Sequence, residues 1–325
     1  MAYRWMPIMG KYEISDDAVS FQGAELPLIP GAQREVTGSA VGIIATDQLM
    51  IDGRVSATVE FEEVQFSGCQ LVLGRDPKSG GMIVAGLADG TPFMFTIREW
   101  QAPAQLSGQQ AGQQSGTWNL LAMTGDRTNL RPSFPYDLSA TVEGSIVSLE
   151  VNGVEVAAAT LSSAPSQPGQ TGLFCLGRGK INISNFTVQS QRSKAFVVMQ
   201  FSSPYDDVYQ NVIKESCERF KVDCENAADI YGPGLIIQDI VDRIRRSQVI
   251  IAEVTPANPN VYFEIGYALA LDKPIILLAQ RPKDGSRLPF DVSGFRVLFY
   301  DDSIGGKPKL EEGLRNHLRQ ILGER

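Results

Sequence analysis

Two apolar runs, Gln248-Val-Ile-Ile-Ala-Glu-Val254 and Lys273-Pro-Ile-Ile-Leu-Leu-Ala279, enclose the segment Asn258-Pro-Asn-Val-Tyr-Phe-Glu-Ile-Gly-Tyr-Ala268. Apolar runs of this length between turn residues read as strands buried on both faces, which is the environment of a parallel sheet covered by helices. Asn258 suits a helix cap and Pro259 its first turn, because neither position needs an intrahelical N–H. Strand, helix and strand in that order commit this part of the chain to an α/β layer with crossover connections. One ionisable residue, Glu264, then falls among Val261, Phe263, Ile265 and Ala268. A carboxylate in that company needs a reason.

The same alternation extends on both sides. Lys194-Ala-Phe-Val-Val-Met-Gln-Phe201 reads as a buried strand, Ser202-Ser-Pro-Tyr-Asp-Asp207 as a loop and helix start, and Tyr209, Val212, Ile213, Cys217 and Phe220 as one helical face. Lys221–Asn226 is a weaker strand that leads towards Asp229 and the turn Tyr231-Gly-Pro-Gly234. Ile237, Ile240, Val241 and Ile244 form the next stripe, with Arg243, Arg245 and Arg246 where the helix dipole favours cations. Gly294–Tyr300 is a last strand, and Leu310, Leu314, Leu318 and Ile321 mark a closing helix. Five strands predict a flavodoxin-like, five-stranded parallel sheet over 195–325. Ligands of such sheets gather beyond the C-terminal strand ends, and Phe201, Ser202, Asp229 and Thr255–Asn260 all fall there.

Residues 1–189 follow a different period. Arg54–Phe61 alternates, as does Leu138–Glu143, and Ser145–Val156 is a hairpin with Asn152-Gly153 as its two-residue turn. Thr171–Gly177 and Ile181–Val188 add two strands, and Gln105–Gly116 is a Gln/Gly/Ser-rich loop. Short strands with regular turns predict an all-β sandwich or jelly roll. A polar linker at 190–194 separates this domain from the α/β domain.

Composition removes several functions. The net charge of −8 argues against general nucleic-acid binding. No apolar run reaches bilayer length, and the opening Met-Ala-Tyr-Arg-Trp-Met-Pro lacks the pattern of a signal peptide, so a cytoplasmic protein is expected, without a membrane. Cys69, Cys175, Cys217 and Cys224 form no CxxC pair and are expected as buried free thiols. His317 is the single histidine, which leaves little room for Ser-His-Asp or Cys-His chemistry or for a His-based zinc site. Asp52, Asp126 and Asp137 lack the spacing of a calcium loop. Trp5, Trp100 and Trp118 are either sugar-stacking platforms or packing aromatics. Any chemistry is therefore expected to run on carboxylates.

Two resemblances sharpen this reading. The strand at Arg54–Phe61, the Asn152-Gly153 hairpin and the closing strands Thr171–Gly177 and Ile181–Val188 resemble concanavalin-like and laminin-G-like sandwiches. That implies a protein or carbohydrate ligand for the first domain. Residues 195–300 resemble bacterial TIR-like domains related to nucleoside 2-deoxyribosyltransferases, through Val198–Phe201, Asp207-Val-Tyr209, Val249–Glu253, Asn258–Ala268, Lys273-Pro274 and Leu288-Pro-Phe-Asp291. The resemblance implies that Glu264 is the catalytic acid at the anomeric carbon of a ribosyl group. Cleaving an N-glycosidic bond builds oxocarbenium character, which a carboxylate stabilises or captures. Phe201 or Tyr231 would stack on a base, Asp229 and Asn258 would bind ribose hydroxyls, and Ser202 with the following loop would meet phosphate. Asn260 lies beside them.

The expected function is a TIR-like NAD glycohydrolase that releases nicotinamide with ADP-ribose or a cyclic form. It requires no metal or other cofactor, NAD being the substrate. By resemblance it would act as a bacterial antiphage-defence effector, switched on by assembly into a homo-oligomer or filament through the TIR-like domain. A nucleoside N-glycosidase or deoxyribosyltransferase is the alternative, and a non-catalytic nucleotide sensor the third reading. Two departures bear on the choice. Glu253 stands where the family more often has Asp, and Asn258 stands where the transferase branch carries Asp, which favours hydrolysis over transfer. If Glu264 were structural instead, it would cap a helix or pair with an arginine.

Overall fold

The computed structural model describes residues 3–23, 40–101, 116–203, 205–227, 236–282, 294–303 and 305–322. Its contacts divide into two compact units. One comprises Met1–Val142, Ile146–Leu161 and Pro168–Gln191; the other comprises Glu143–Ser145, Ser162–Gln167 and Arg192–Arg325.

The first unit is an antiparallel sandwich of the jelly-roll class. Its described strands are β1 (Trp5–Met9), β2 (Tyr12–Ile14), β3 (Ala18–Phe21), β4 (Ala40–Met50), β5 (Asp52–Phe61), β6 (Gly68–Arg75) and β7 (Met82–Leu87). They continue as β8 (Phe93–Gln101), β9 (Thr117–Asp126), β10 (Tyr136–Glu143), β11 (Ile146–Val151), β12 (Val154–Thr160), β13 (Gly169–Gly177) and β14 (Ile181–Gln191). Two sheets result, ordered β1-β4-β13-β6-β7-β8-β9 and β12-β11-β10-β5-β14-β3-β2. The period-two pattern explains the core: Val55, Val59 and Phe61 of β5 and Leu138, Ala140 and Val142 of β10 bury one face, against Leu71, Leu73 and Leu173 of the other sheet. Asn152 and Gly153 both take positive φ, 52° and 77°, as a type I′ hairpin between β11 and β12 requires.

The three tryptophans of this unit, with Asp126 and Asp137, are held by neighbours. Trp100 and Trp118 pack at 5.2 Å between centroids, Trp5 meets Phe186 at 4.8 Å, and the Arg98 guanidinium lies 4.3 Å from the Trp118 ring centroid. Asp126 accepts from the Thr128 N–H, capping a short 3-10 turn, and Asp137 accepts from the Thr58 hydroxyl at 2.7 Å. All four cysteines are free, with Cys69, Cys175 and Cys217 buried. The segment 105–115 and the turn at Tyr231–Gly234 fall outside the described residues.

The second unit is a five-stranded sheet, in chain order β15 (Lys194–Val198), β16 (Asp223–Asn226), β17 (Val249–Glu253), β18 (Ile275–Gln280) and β19 (Val297–Tyr300). The spatial order is β16-β15-β17-β18-β19 and every pairing is parallel. Alternate residues bury on opposite faces. Ala195, Val197, Val249, Ile251, Ile276 and Leu278 pack with Val212, Ile213 and Cys217 and with Leu310, Leu314 and Leu318 of the closing helix (Gly306–Leu322). Phe196, Val198, Ile250, Ala252, Leu277 and Ala279 pack on the other side with α3 (Ile236–Arg246) and α4 (Pro259–Ala270), through Ile240, Ile244, Val261, Ile265 and Ala268. The helix after β15 is interrupted. It opens as α1 (Asp206–Val208), widens to a π-helical turn at Tyr209–Ile213 and continues as α2 (Lys214–Arg219). That bulge departs from the simple 3.6 period expected for this stretch, yet still leaves Tyr209, Val212 and Ile213 buried.

Candidate functional site

The sheet order reverses direction between β15 and β17, because β16 lies to one side of β15 while β17, β18 and β19 extend to the other. Loops leaving the C-terminal ends of those two strands diverge there and open a crevice. Phe201 and Ser202 follow β15, and Thr255–Asn258 follow β17. The two loops are tied together: Asn258 Nδ2 donates to Gln200 Oε1 at 3.4 Å, and Gln200 Nε2 donates to Ser202 Oγ at 3.0 Å. Asn258 also caps α4, its Oδ1 accepting from the Asn260 N–H at 3.0 Å. Asn258 is half-buried, whereas Asn260 is exposed. The Phe201 ring meets Tyr209 edge-on at 5.6 Å, so the π-helical turn supports the ring that flanks the crevice. Of the expected site residues, Phe201, Ser202, Asn258, Asn260 and Glu264 lie within the described structure; Asp229 and Tyr231 lie outside it, as does Leu288–Asp291.

Glu264 sits on the face of α4 that also buries Val261, Ile265 and Ala268, and its residue exposure is 8%. Among the described residues it has neither a hydrogen-bond nor an ion-pair partner, so neither a helix cap nor an arginine accounts for it. Burial alone pushes its carboxyl up to about 7. The acid is thus divided between its two protonation states near neutral pH, one and a half turns from a capped helix start that borders the crevice.

A second acid, Glu253, lies at the end of the neighbouring strand. Glu253 is the last residue of β17 and is fully buried, on the face opposite α4. Its Oε2 accepts from the Thr255 N–H at 3.0 Å, and Thr255 Oγ1 in turn accepts from the Gln280 N–H at 3.0 Å. Burial raises the Glu253 carboxyl to about 8, against the opposing hydrogen bonds from Thr255. Tyr300, at the end of β19, is pushed well above the usual phenol range by burial and by Glu253. The signal available in the sequence was an acid closing a run of four apolar residues.

Lys273 has a structural explanation. It is buried, and its Nζ donates to the carbonyls of Arg245 at 2.6 Å and Ser247 at 2.7 Å, capping the C-terminal end of α3. The Lys-Pro pair before β18 therefore serves helix termination, away from the crevice loops.

No protein-family model matches the chain, and no curated protein matches it. Among solved structures, a carbohydrate-binding module from Bacillus subtilis is 13% identical, covering 57% of this chain and 95% of the module, at a TM-score of 0.41. The CMP N-glycosidase of Clostridium botulinum is 20% identical, covering 38% of this chain and 99% of that enzyme, at a TM-score of 0.30. The TIR domain of a Toll-related receptor from Hydra magnipapillata is 18% identical, covering 38% and 97%, at a TM-score of 0.32. These are likenesses of fold: a sandwich for the N-terminal part, and a TIR or N-glycosidase fold for the C-terminal part. Among the described residues, no helix is long and apolar enough to cross a membrane.

Proposed function

We propose that the α/β unit cleaves the N-glycosidic bond of a ribosyl nucleotide, with NAD as substrate and Glu264 as the catalytic carboxylate. The observation that carries this reading is a buried acid, without a partner among the described residues, on the sheet-facing side of the helix that borders the switch-point crevice. In NAD the leaving nicotinamide is already cationic. When the C1′–N bond breaks, its electron pair neutralises the ring nitrogen and no general acid is needed. The ionised Glu264 carboxylate stabilises the positive charge left on the ribose, and water adds at C1′ to give ADP-ribose and a proton. A cyclic product forms instead where an atom of the product reaches C1′ before water. Phe201 offers a ring for the base, Asn258 an amide for ribose hydroxyls, and Ser202 a hydroxyl for phosphate; Asp229 and Tyr231 are the remaining candidates for the ribose and the base.

A buried carboxyl near 7 is also partly protonated at neutral pH, which suits an uncharged leaving base. This keeps a nucleoside or nucleotide N-glycosidase as the second reading. Assembly through the α/β unit belongs to the proposal as well: α4 leaves Phe263 and Leu269 exposed at 51% and 45%, and Glu264 is its sole charged residue. The deciding experiment incubates the full-length protein, over a range of protein concentrations, with NAD, CMP and deoxynucleosides, beside Glu264→Gln. Nicotinamide release that rises faster than protein concentration and disappears in Glu264→Gln supports the proposal. Cytosine release or base exchange with NAD intact selects the second reading, and equal turnover by the variant refutes both.

A further inference from the structure

Asn258, Gln200 and Ser202, at the mouth of the crevice, form a chain whose hydrogen-bond directions are fixed from one end. The Asn260 N–H can only donate, and it bonds Asn258 Oδ1 at 3.0 Å. The amide oxygen of Asn258 is therefore held at the helix cap, and its nitrogen is the atom left to reach across. Asn258 Nδ2 donates at 3.4 Å, so the Gln200 atom that receives it must be the oxygen, Oε1. The other end of Gln200 is then Nε2, which donates to Ser202 Oγ at 3.0 Å. Turning either amide over would set nitrogen against a backbone N–H or against the other amide nitrogen. Ser202 Oγ is thus an acceptor within the protein, and its own proton is left over. Among the described residues nothing takes that proton, nor the second hydrogen of Asn258 Nδ2. Both residues are half-buried, on the two loops that open the crevice.

We infer that Gln200 is a positioning residue that makes Ser202 a hydrogen-bond donor to a phosphate of the substrate. This role rests on the function proposed above and narrows its substrate to a nucleotide. A serine hydroxyl left to itself donates or accepts as its partner requires. Held by Gln200 Nε2, the Ser202 hydroxyl keeps its proton for an oxygen that arrives from outside. A ribose hydroxyl is served by a donor or by an acceptor, whereas an ionised phosphate oxygen only accepts. Each oxygen of the chain already holds one hydrogen, and the hydrogens left over all belong to donors, so the crevice mouth matches phosphate. The nearest acids along the chain, Asp206 and Asp207, are exposed, where water and salt screen their charge. Gln200 itself touches no substrate; it acts through Ser202, and the cap of α4 sets its direction.

Binding is measured by calorimetry on the full-length protein in the Glu264→Gln background, so that it does not depend on turnover. The probes are NAD and nicotinamide riboside, which has the same scissile bond and no phosphate. Gln200→Leu and Ser202→Ala are each expected to weaken NAD about tenfold. The double variant is expected to lose about tenfold as well, and not about a hundredfold, because the two side chains act as one. Nicotinamide riboside is expected to bind all these forms within about twofold of one another. Gln200→Glu, of the same size, keeps an acceptor for Asn258 but claims the Ser202 proton, and is expected to weaken NAD at least as much as Gln200→Leu; circular dichroism checks that each variant is folded. In the protein with Glu264 intact, Gln200→Leu is expected to raise KM for NAD about tenfold and to leave kcat within about threefold. A residue that merely held the loop would lower kcat and weaken the riboside too. Additive losses, equal losses with both probes, or unaltered NAD binding in Gln200→Leu overturn the inference. If NAD is never cleaved while binding follows this pattern, the proposed chemistry fails and the role of Gln200 stands. If NAD is cleaved alike with and without Gln200, that role fails and the chemistry stands.

Discussion

Replacing Glu264 by Gln is expected to stabilise the α/β unit, and to do so increasingly as pH rises. The magnitude follows from linkage. Burial raises the carboxyl from 4.5 to about 7, and each unit of difference between folded and unfolded states corresponds to about 1.36 kcal/mol. A raised acid favours the fold while protonated, so its contribution is complete below pH 4.5 and is lost as pH climbs towards 7. Above that the loss reaches about 3 kcal/mol. Gln cannot ionise and so escapes it. Any fixed cost of a buried amide shifts the whole curve but not its slope with pH. The chain supplies its own controls for the assay. All three tryptophans, Trp5, Trp100 and Trp118, belong to the sandwich, whereas α3, α4 and the closing helix belong to the other unit. Urea unfolding by circular dichroism at 222 nm therefore follows the α/β unit, and tryptophan fluorescence follows the sandwich. With a slope of about 2 kcal/mol per molar urea, the 222 nm midpoint of the variant should move away from the wild type by about 1.5 M between pH 4.5 and 8. The fluorescence midpoint should not differ. A difference between variant and wild type that stays constant over that range would mean that Glu264 is not desolvated in the folded protein, and the reasoning from burial would fall with it.

Three further outcomes test separate parts of the structure. Turnover of NAD should rise with pH to a midpoint of about 7 in kcat/KM, as Glu264 ionises, and Glu264→Gln should lower it by about a thousandfold or more. Lys273→Met should cost the α/β unit about 3 kcal/mol, read from the 222 nm transition, because two carbonyls at the end of α3 lose a charged donor. Gly153→Val should lower the tryptophan-detected transition alone, by about 1 kcal/mol or more, because φ of 77° suits glycine and penalises a β-branched residue.

Most of the architecture was legible because it rests on period. Alternation at Arg54–Phe61 and Leu138–Glu143, the Asn152-Gly153 turn and the apolar runs at 249–254 and 273–279 each predict an element that the structure contains. Strand ends were less legible: β15 stops at Val198 although the apolar run continues to Phe201, since Met199, Gln200 and Phe201 already turn into the crevice loop. The π-helical turn at Tyr209–Ile213 is invisible to a 3.6-residue template, because one extra residue still leaves the apolar side chains on a common face. At the site, Glu264 stood out as a lone acid in an apolar helix. Glu253 carried a weaker form of the same signal, but its meaning depends on Thr255, Gln280 and Tyr300. Three different strands bring those residues together, and no local pattern relates them.

Glu264 and Glu253 have one energetic property in common that separates them from the other described acids of the unit. Glu225, for example, is paired with Arg243, and such pairs have little effect on the fold near the surface. Each of the two raised acids, by contrast, weakens the fold by about 3 kcal/mol on going from below pH 4.5 to pH 7. Stability alone would be served better by extending the apolar run of Val249–Ala252 through position 253 and the apolar stripe of Val261, Ile265 and Ala268 through position 264. The acids occupy opposite faces of one sheet, yet both adjoin the loop that turns from β17 into α4. On the function proposed above, a stability cost placed at Glu264, on the helix beside the point where the sheet order reverses, is what a site needs when a carboxyl must act on a substrate.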